Sequence, residues 1–106
     1  MPDSENTHPL QDLDRVIHAQ ARLMVMTHLA AVEEADFTFL INLTGLTWGN
    51  LSSHLSKLEK AKYIEIKKHF LGKKPHTIVR LTQTGKVAFE EYRKVLSQTL
   101  NGNTIY

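Results

Sequence analysis

Cysteine is absent from this sequence of 106 residues. Disulfides, thiolate metal sites and cysteine catalysis are thereby excluded. No apolar run approaches the ~20 residues that a bilayer-spanning helix needs. The opening residues, MPDSENTHPL, are acidic and polar and do not read as a secretory signal. A cytoplasmic protein without membrane contact is the expectation. Catalytic signatures are missing too. The six histidines show no HExxH spacing, no glycine-rich phosphate loop follows a strand pattern, and Ser52 and Ser53 lack a nucleophile-elbow context. No enzyme, metal site or cofactor is therefore expected. Internal repeats and low-complexity linkers are also absent.

The composition is 42% apolar and 23% charged, which suits one soluble domain with a modest core. The expected organisation is a flexible tail over 1–8, a single domain over 9–100, and a frayed end over 101–106. Acidic residues are scarce in one long stretch. From Lys57 to Arg80 there are eight basic residues against Glu59 and Glu65. That stretch carries +6 in a chain whose net charge is +2, so the remainder carries −4. A basic segment on an acidic body suits an anionic partner bound at one face.

Hydrophobic spacing orders the elements. Leu10, Leu13 and Ile17 recur at helical intervals and predict a short first helix. AQARLMVMTHLAAVEEA predicts a second, burying Leu23, Met26, Leu29 and Ala30. Asp36 is placed to cap FTFLINL, which would bury Phe37, Leu40 and Leu43, and Gly45 to end it. Leu46 can fill the corner, and Thr47 can cap a further helix from about Trp48 to Ala61. Glu33, Glu34 and Asp36 read as helix termination and capping. After Tyr63 the period changes to two, and residues 63–68 predict a strand with Ile64 and Ile66 inward. LGKKPH reads as a turn and TIVRL as the returning strand. Thr82 then caps a last helix with a stripe of Phe89, Tyr92, Val95 or Leu96, and Leu100. The fold expected is mainly α with a β-hairpin wing: a winged helix-turn-helix with an added C-terminal helix.

On a helical wheel Leu55 and Leu58 fall within about 40° of Leu51. Gly49, Ser53, Ser56 and Lys60 cluster on the opposite side, flanked by Asn50, Lys57 and Ser52. Serine, glycine and asparagine are poor choices for an ordinary surface helix. They suit close approach to a major groove, where asparagine can pair with adenine and serine can reach bases or phosphates. Lys57 and Lys60 can neutralise phosphates. Lys73 and Lys74, at the tip of the hairpin, fit a flanking phosphate strand or the minor groove, while lysines on a hairpin also blunt an exposed edge. His54 reads as structural, bonding the backbone or nearing a phosphate. His69 and His76 flank the turn and can meet across it. Trp48 falls at the edge of the leucine stripe and is expected to pack partly on the preceding helix.

Three segments carry a resemblance: ARLMVMTHLA, DFTFLINLTGLTWGNLSSHLSKLEKAKYIEIKK and TIVRLTQTGKVAFEEY. Together they resemble winged helix-turn-helix transcriptional regulators of the MarR/ArsR type, small winged-helix DNA-binding proteins. The resemblance implies double-stranded DNA as partner, contacted by Thr47, Trp48, Asn50, Ser52, Ser53, Ser56 and Lys57, with Lys73 and Lys74 in the wing. It further implies a homodimer formed through Leu10, Leu13 and Ile17 and through Phe89, Tyr92 and Leu96. Without cysteine, the thiolate sensing pattern of metal-responsive relatives is not available, and no small-molecule effector can be named. The alternative is a winged-helix module that binds protein instead of nucleic acid.

Overall fold

The computed structural model describes residues 9–102. A 3₁₀ turn at Pro9–Asp12 leads into α1 (Gln20–Val32), β1 (Glu34–Asp36), α2 (Phe37–Thr44), α3 (Trp48–Lys60), β2 (Ile64–Leu71), β3 (Lys74–Leu81) and α4 (Gln83–Leu100). The three strands form an antiparallel sheet in the order β1-β3-β2. A mostly helical body with such a sheet is the winged helix-turn-helix topology, and α4 is the added C-terminal helix.

Local capping sets the helix-turn-helix. The Asp36 carboxylate accepts from the backbone N–H groups of Thr38 and Phe39 at 2.7 and 3.3 Å, filling donors that α2 leaves open. Gly45 ends α2 in the left-handed region at φ 71°. Thr47 then caps α3, its hydroxyl accepting from the Asn50 N–H at 3.2 Å. Helix α3 closes in a Schellman turn. The N–H of Tyr63 reaches the Leu58 carbonyl at 3.0 Å, that of Lys62 reaches Glu59 at 2.9 Å, and Lys62 adopts φ 68°.

The core joins every layer. Leu51, Leu55 and Leu58 from α3 meet Val25, Met26 and Leu29 from α1, Leu40 from α2, and Ile64 and Val79 from the sheet. Among the described residues no polar or charged side chain is buried. Helix α4 closes the remaining side with Phe89 and Tyr92. Its first turn lies directly on the α3–β2 corner: Thr82 donates from its N–H to the Tyr63 carbonyl at 3.0 Å and from its hydroxyl to the Lys62 carbonyl at 2.6 Å. Gly85 makes that approach possible, since a Cβ there would stand 2.1 Å from the Tyr63 carbonyl oxygen.

Several expectations change. Leu10, Leu13 and Ile17 do not share a regular α-helix. Their segment is a 3₁₀ turn followed by an Asx turn, in which Asp14 accepts from the N–H groups of Val16 and Ile17 at 2.8 and 3.2 Å. In α1, Val25 is buried, while Leu23 is half-buried and Ala30 exposed. Leu100 is 70% exposed because α4 runs beyond the body. The segment Glu34–Asp36 is a strand as well as a cap donor, pairing with Ile78–Arg80 of β3. The hairpin is also longer than its sequence implied. Its strands pair from Ile64↔Leu81 out to Leu71↔Lys74 and leave a two-residue link, Gly72-Lys73. Such a link needs positive φ at its first position, and Gly72 supplies φ 65°. Pro75 therefore belongs to β3, not to the turn. It faces Phe70 in a non-hydrogen-bonded pair, so its missing N–H points away from β2 and costs no ladder bond. The tail over 1–8 and residues 103–106 lie outside the described residues, while Asn101 and Gly102 form a turn.

No helix among the described residues is long and apolar enough to cross a membrane. No group of three or more histidine, aspartate or glutamate residues there is placed to hold a metal ion.

Candidate nucleic-acid interface

Helix α3 turns its leucine stripe inward and its polar side outward. Leu51, Leu55 and Leu58 are at most 1% exposed. Thr47, Trp48, Asn50, Ser52, Ser53, Lys57 and Lys60 are all exposed. Ser56 is half-buried because the base of the wing comes up beside it. Between α3 and the wing lies a groove of about 530 Å³, whose walls include Trp48, Ser52 and Ser56 on one side and Ile66, Lys68 and Thr77 on the other. Glu59 also lines it and is the one acidic residue there. Trp48 stacks on Phe37 at a ring-centroid distance of 4.4 Å and 20° between planes, yet remains 61% exposed. One face of the indole thus rests on the base of α2 and the rest meets solvent.

The wing stands beside this face. Lys67, Lys68, Lys73 and Lys74 are all exposed, with Lys73 in the link and Lys74 opening β3. From Ile66 to Val79 there is no acidic residue. His69 and His76 do face each other across the hairpin, ring centroids 6.4 Å apart. His76 also bonds Asp36 through Nδ1 at 3.1 Å, which ties the outer part of the wing to the cap of α2. That bond, followed by the backbone N–H groups of Thr38 and Phe39, holds the Asp36 carboxyl below the usual carboxylate range against the opposing effect of burial.

Longer-range bonds, invisible to sequence spacing, fix α3 in the body. Arg22 of α1 donates to the Val16 carbonyl at 2.5 Å and reaches Nδ1 of His54 at 3.0 Å. A guanidinium only donates, so Nδ1 of His54 accepts and the ring is neutral. Burial, then the charges of Arg22 and Lys57, push the His54 pKa down. Tyr63, at the α3–β2 corner, donates its hydroxyl to Asp14. Burial and then that carboxylate raise the phenol to about 12, so it stays a donor at any physiological pH.

The residues expected to form an intersubunit contact divide. Leu13, Ile17, Phe89 and Tyr92 are at most 6% exposed within the single chain. The turn at Pro9–Asp12 packs against α4, so these side chains cover one another. Leu10 and Leu96 remain partly open. Leu96 lines a groove of about 510 Å³ between α1 and α4, with Leu23, Thr27, Ala30 and Ala31 opposite. Besides this groove these helices expose Val32, Val87 and Leu100.

Residues 21–100 match a family model described as a winged helix DNA-binding domain. An uncharacterized protein of Methanocaldococcus jannaschii is 33% identical over 78 residues, which cover 74% of this chain and 85% of that protein. The structure of the transcriptional regulator homologue protein from Pyrococcus horikoshii OT3 aligns with a TM-score of 0.81 and 24% identity, over 91% of this chain and 94% of that one. The crystal structure of NadR in complex with 4-hydroxyphenylacetate aligns with a TM-score of 0.67 and 17% identity, over 96% of this chain and 83% of that one. At such identities the two structures share the fold with this chain.

Proposed function

The chain belongs to the winged helix DNA-binding domain family, and from that membership we propose that it is a sequence-specific, double-stranded DNA-binding transcriptional regulator of the MarR/ArsR type. Helix α3 enters the major groove. Asn50, Ser52 and Ser53 read base edges there, with Ser56 beneath them at the mouth of the groove. Thr47, Trp48, Lys57 and Lys60 flank them on the sugar-phosphate backbone. The wing places Lys73 and Lys74 on a neighbouring phosphate strand or in the minor groove. Residues 9–100 act as one domain in the cytoplasm. Two copies associate through the Leu96 side of α4 and the Leu10 segment, which sets their α3 helices about 34–36 Å apart on a roughly palindromic site.

The observation that carries this reading is the exposed, small, uncharged face of α3 beside a hairpin with four lysines and no acid between Ile66 and Val79. Selection of bound duplexes from a random pool, with the mass of the free and bound protein measured by sedimentation, is the test. Recovery of an enriched, two-fold symmetric sequence bound by a dimer is expected. No enrichment and no duplex shift at low salt, together with stoichiometric capture of a protein partner, would point instead to a protein-binding module.

A further inference from the structure

The wing ends in two large apolar side chains that nothing among the described residues covers. Phe70 is 71% exposed and Leu71 61%. They are consecutive and close β2, so they project from opposite faces of the hairpin. Single exposed apolar residues are ordinary on protein surfaces. This pair differs because of where it sits and what surrounds it. Lys67, Lys68, Lys73 and Lys74 flank it, and the hairpin contains no acid from Ile66 to Val79. Phe70 shares its strand face with Ile66 and Lys68, which line the groove beside Ser52 and Ser56 of α3. It lies four residues beyond Ile66, roughly 13 Å further out at the rise of a strand. That reach exceeds the roughly 7.5 Å depth of a minor groove. Pro75, its cross-strand neighbour, stiffens the tip with a fixed φ and no free N–H.

We propose that Phe70 is an apolar wedge, inserted from the minor groove between two base pairs while the surrounding lysines hold the phosphates on either side. The proposal rests on the DNA-binding reading above. Side chains of this type partly unstack the step they enter and kink the duplex toward the major groove. The steps that yield most easily are pyrimidine–purine steps such as TA and CA. Binding would thus bend DNA at a flexible step flanking the site read by α3. That step would be selected through its deformability, with no hydrogen bond to its bases. Leu71, on the other face, is not the wedge.

The test uses short duplexes drawn from the selected pool, with 2-aminopurine replacing each adenine in turn and dyes at the two ends. Binding is followed by anisotropy, unstacking by 2-aminopurine fluorescence and bending by energy transfer. The expected result is a fluorescence rise at one pyrimidine–purine step and a shortened end-to-end distance. Phe70→Ala should abolish both signals at saturating protein while lowering affinity by about tenfold or less. Phe70→Leu should keep part of the signal, and Leu71→Ala nearly all of it. Binding by anisotropy with no unstacking at any position would overturn the wedge and leave the DNA-binding reading intact. Absence of any duplex binding would overturn both. Vesicles of phosphatidylserine and phosphatidylcholine form the last arm. If Phe70→Ala abolishes their binding and leaves the duplex signals unchanged, the tip is a membrane contact and the wedge is wrong.

Discussion

Helix α3 and the far half of the wing face the same solvent but are held in opposite ways. Helix α3 has three fully buried leucines beneath it, a bond from Arg22 to His54, and its C-terminal corner clamped by Thr82 and by Tyr63–Asp14. From Lys67 to Thr77 the wing buries no side chain at all. Its shape rests on the strand ladder, a two-residue link and the His76–Asp36 bond, three pairs from that link. A face that reads bases must hold its donors to within a fraction of an ångström, which packing enforces. A face that grips phosphates tolerates some play, since charge acts over a Debye length of about 8–10 Å. On the proposed function, the division of labour follows the division of support: discrimination on α3, affinity and deformation on the wing.

The largest test of this contrast lies at the clamp. In Gly85→Ala the new methyl would meet the Tyr63 carbonyl oxygen, a backbone atom that cannot rotate aside. The first turn of α4 must lift or the corner must move. A loss of roughly 3–5 kcal/mol is expected, a large part of the ~5–15 kcal/mol that stabilises a small domain. Urea denaturation measures it. A loss below about 1 kcal/mol would mean that the corner is soft and that α3 is not rigidly set.

The next comparison pairs one apolar side chain from each region. Leu55→Ala empties a site that is 1% exposed, and ~2–5 kcal/mol should be lost. Phe70→Ala removes a larger side chain that is 71% exposed, and stability should change by no more than about 0.5 kcal/mol. Thermal or urea melts of the two variants give the ratio directly. A comparable loss from both would show that the wing tip packs on something in solution, a second copy included.

The same contrast predicts two distinct defects in DNA binding. Lys73→Ala combined with Lys74→Ala should weaken all duplexes alike and make the salt slope shallower by roughly 2. Asn50→Ala should cost ~1–3 kcal/mol on the preferred sequence and little on others, flattening the preference. Titrations of selected and scrambled duplexes at several salt concentrations separate the two. Equal flattening by both variants would erase the proposed division of labour.

How much of this was legible in the sequence depended on range. The caps at Asp36, Thr47 and Thr82 and the left-handed stop at Gly45 act within a few residues, so composition and spacing exposed them. The leucine stripe of α3, and with it the exposed polar face, was legible for the same reason. Strand β1 was not. Glu34, Ala35 and Asp36 carry no strand preference and pair only because β3 arrives from more than forty residues away. The segment Leu10–Ile17 has helical spacing, but Asp14 spends its carboxylate on its own backbone and on Tyr63, 49 residues on. The wing was underestimated because Pro75 reads as turn punctuation, whereas it sits harmlessly on the open side of a strand. The inner part of the wing lines one groove with Ser56 and Glu59 through Ile66, Lys68 and Thr77, a detail that no periodicity reveals.

The smallest effect expected is a pH dependence confined to the supported region. His54 accepts from Arg22 through Nδ1, and its folded pKa lies below the ordinary 6.5. Above about pH 6.5 the ring is neutral in both folded and unfolded chains and contributes no slope. As pH falls below that value the unfolded chain binds a proton that the folded chain resists. Stability therefore declines between 6.5 and the depressed folded value, and flattens below it. His54 is half-buried, so the decline should be a modest fraction of the total. Replacement by asparagine, His54→Asn, retains an acceptor for Arg22 but cannot titrate. Urea melts of wild type and variant at about pH 7.5 and 5.5 isolate this group. The wild type should lose more than the variant. An identical loss in both would place the acid sensitivity outside the Arg22–His54 contact and remove that bond from the account of what holds α3 still.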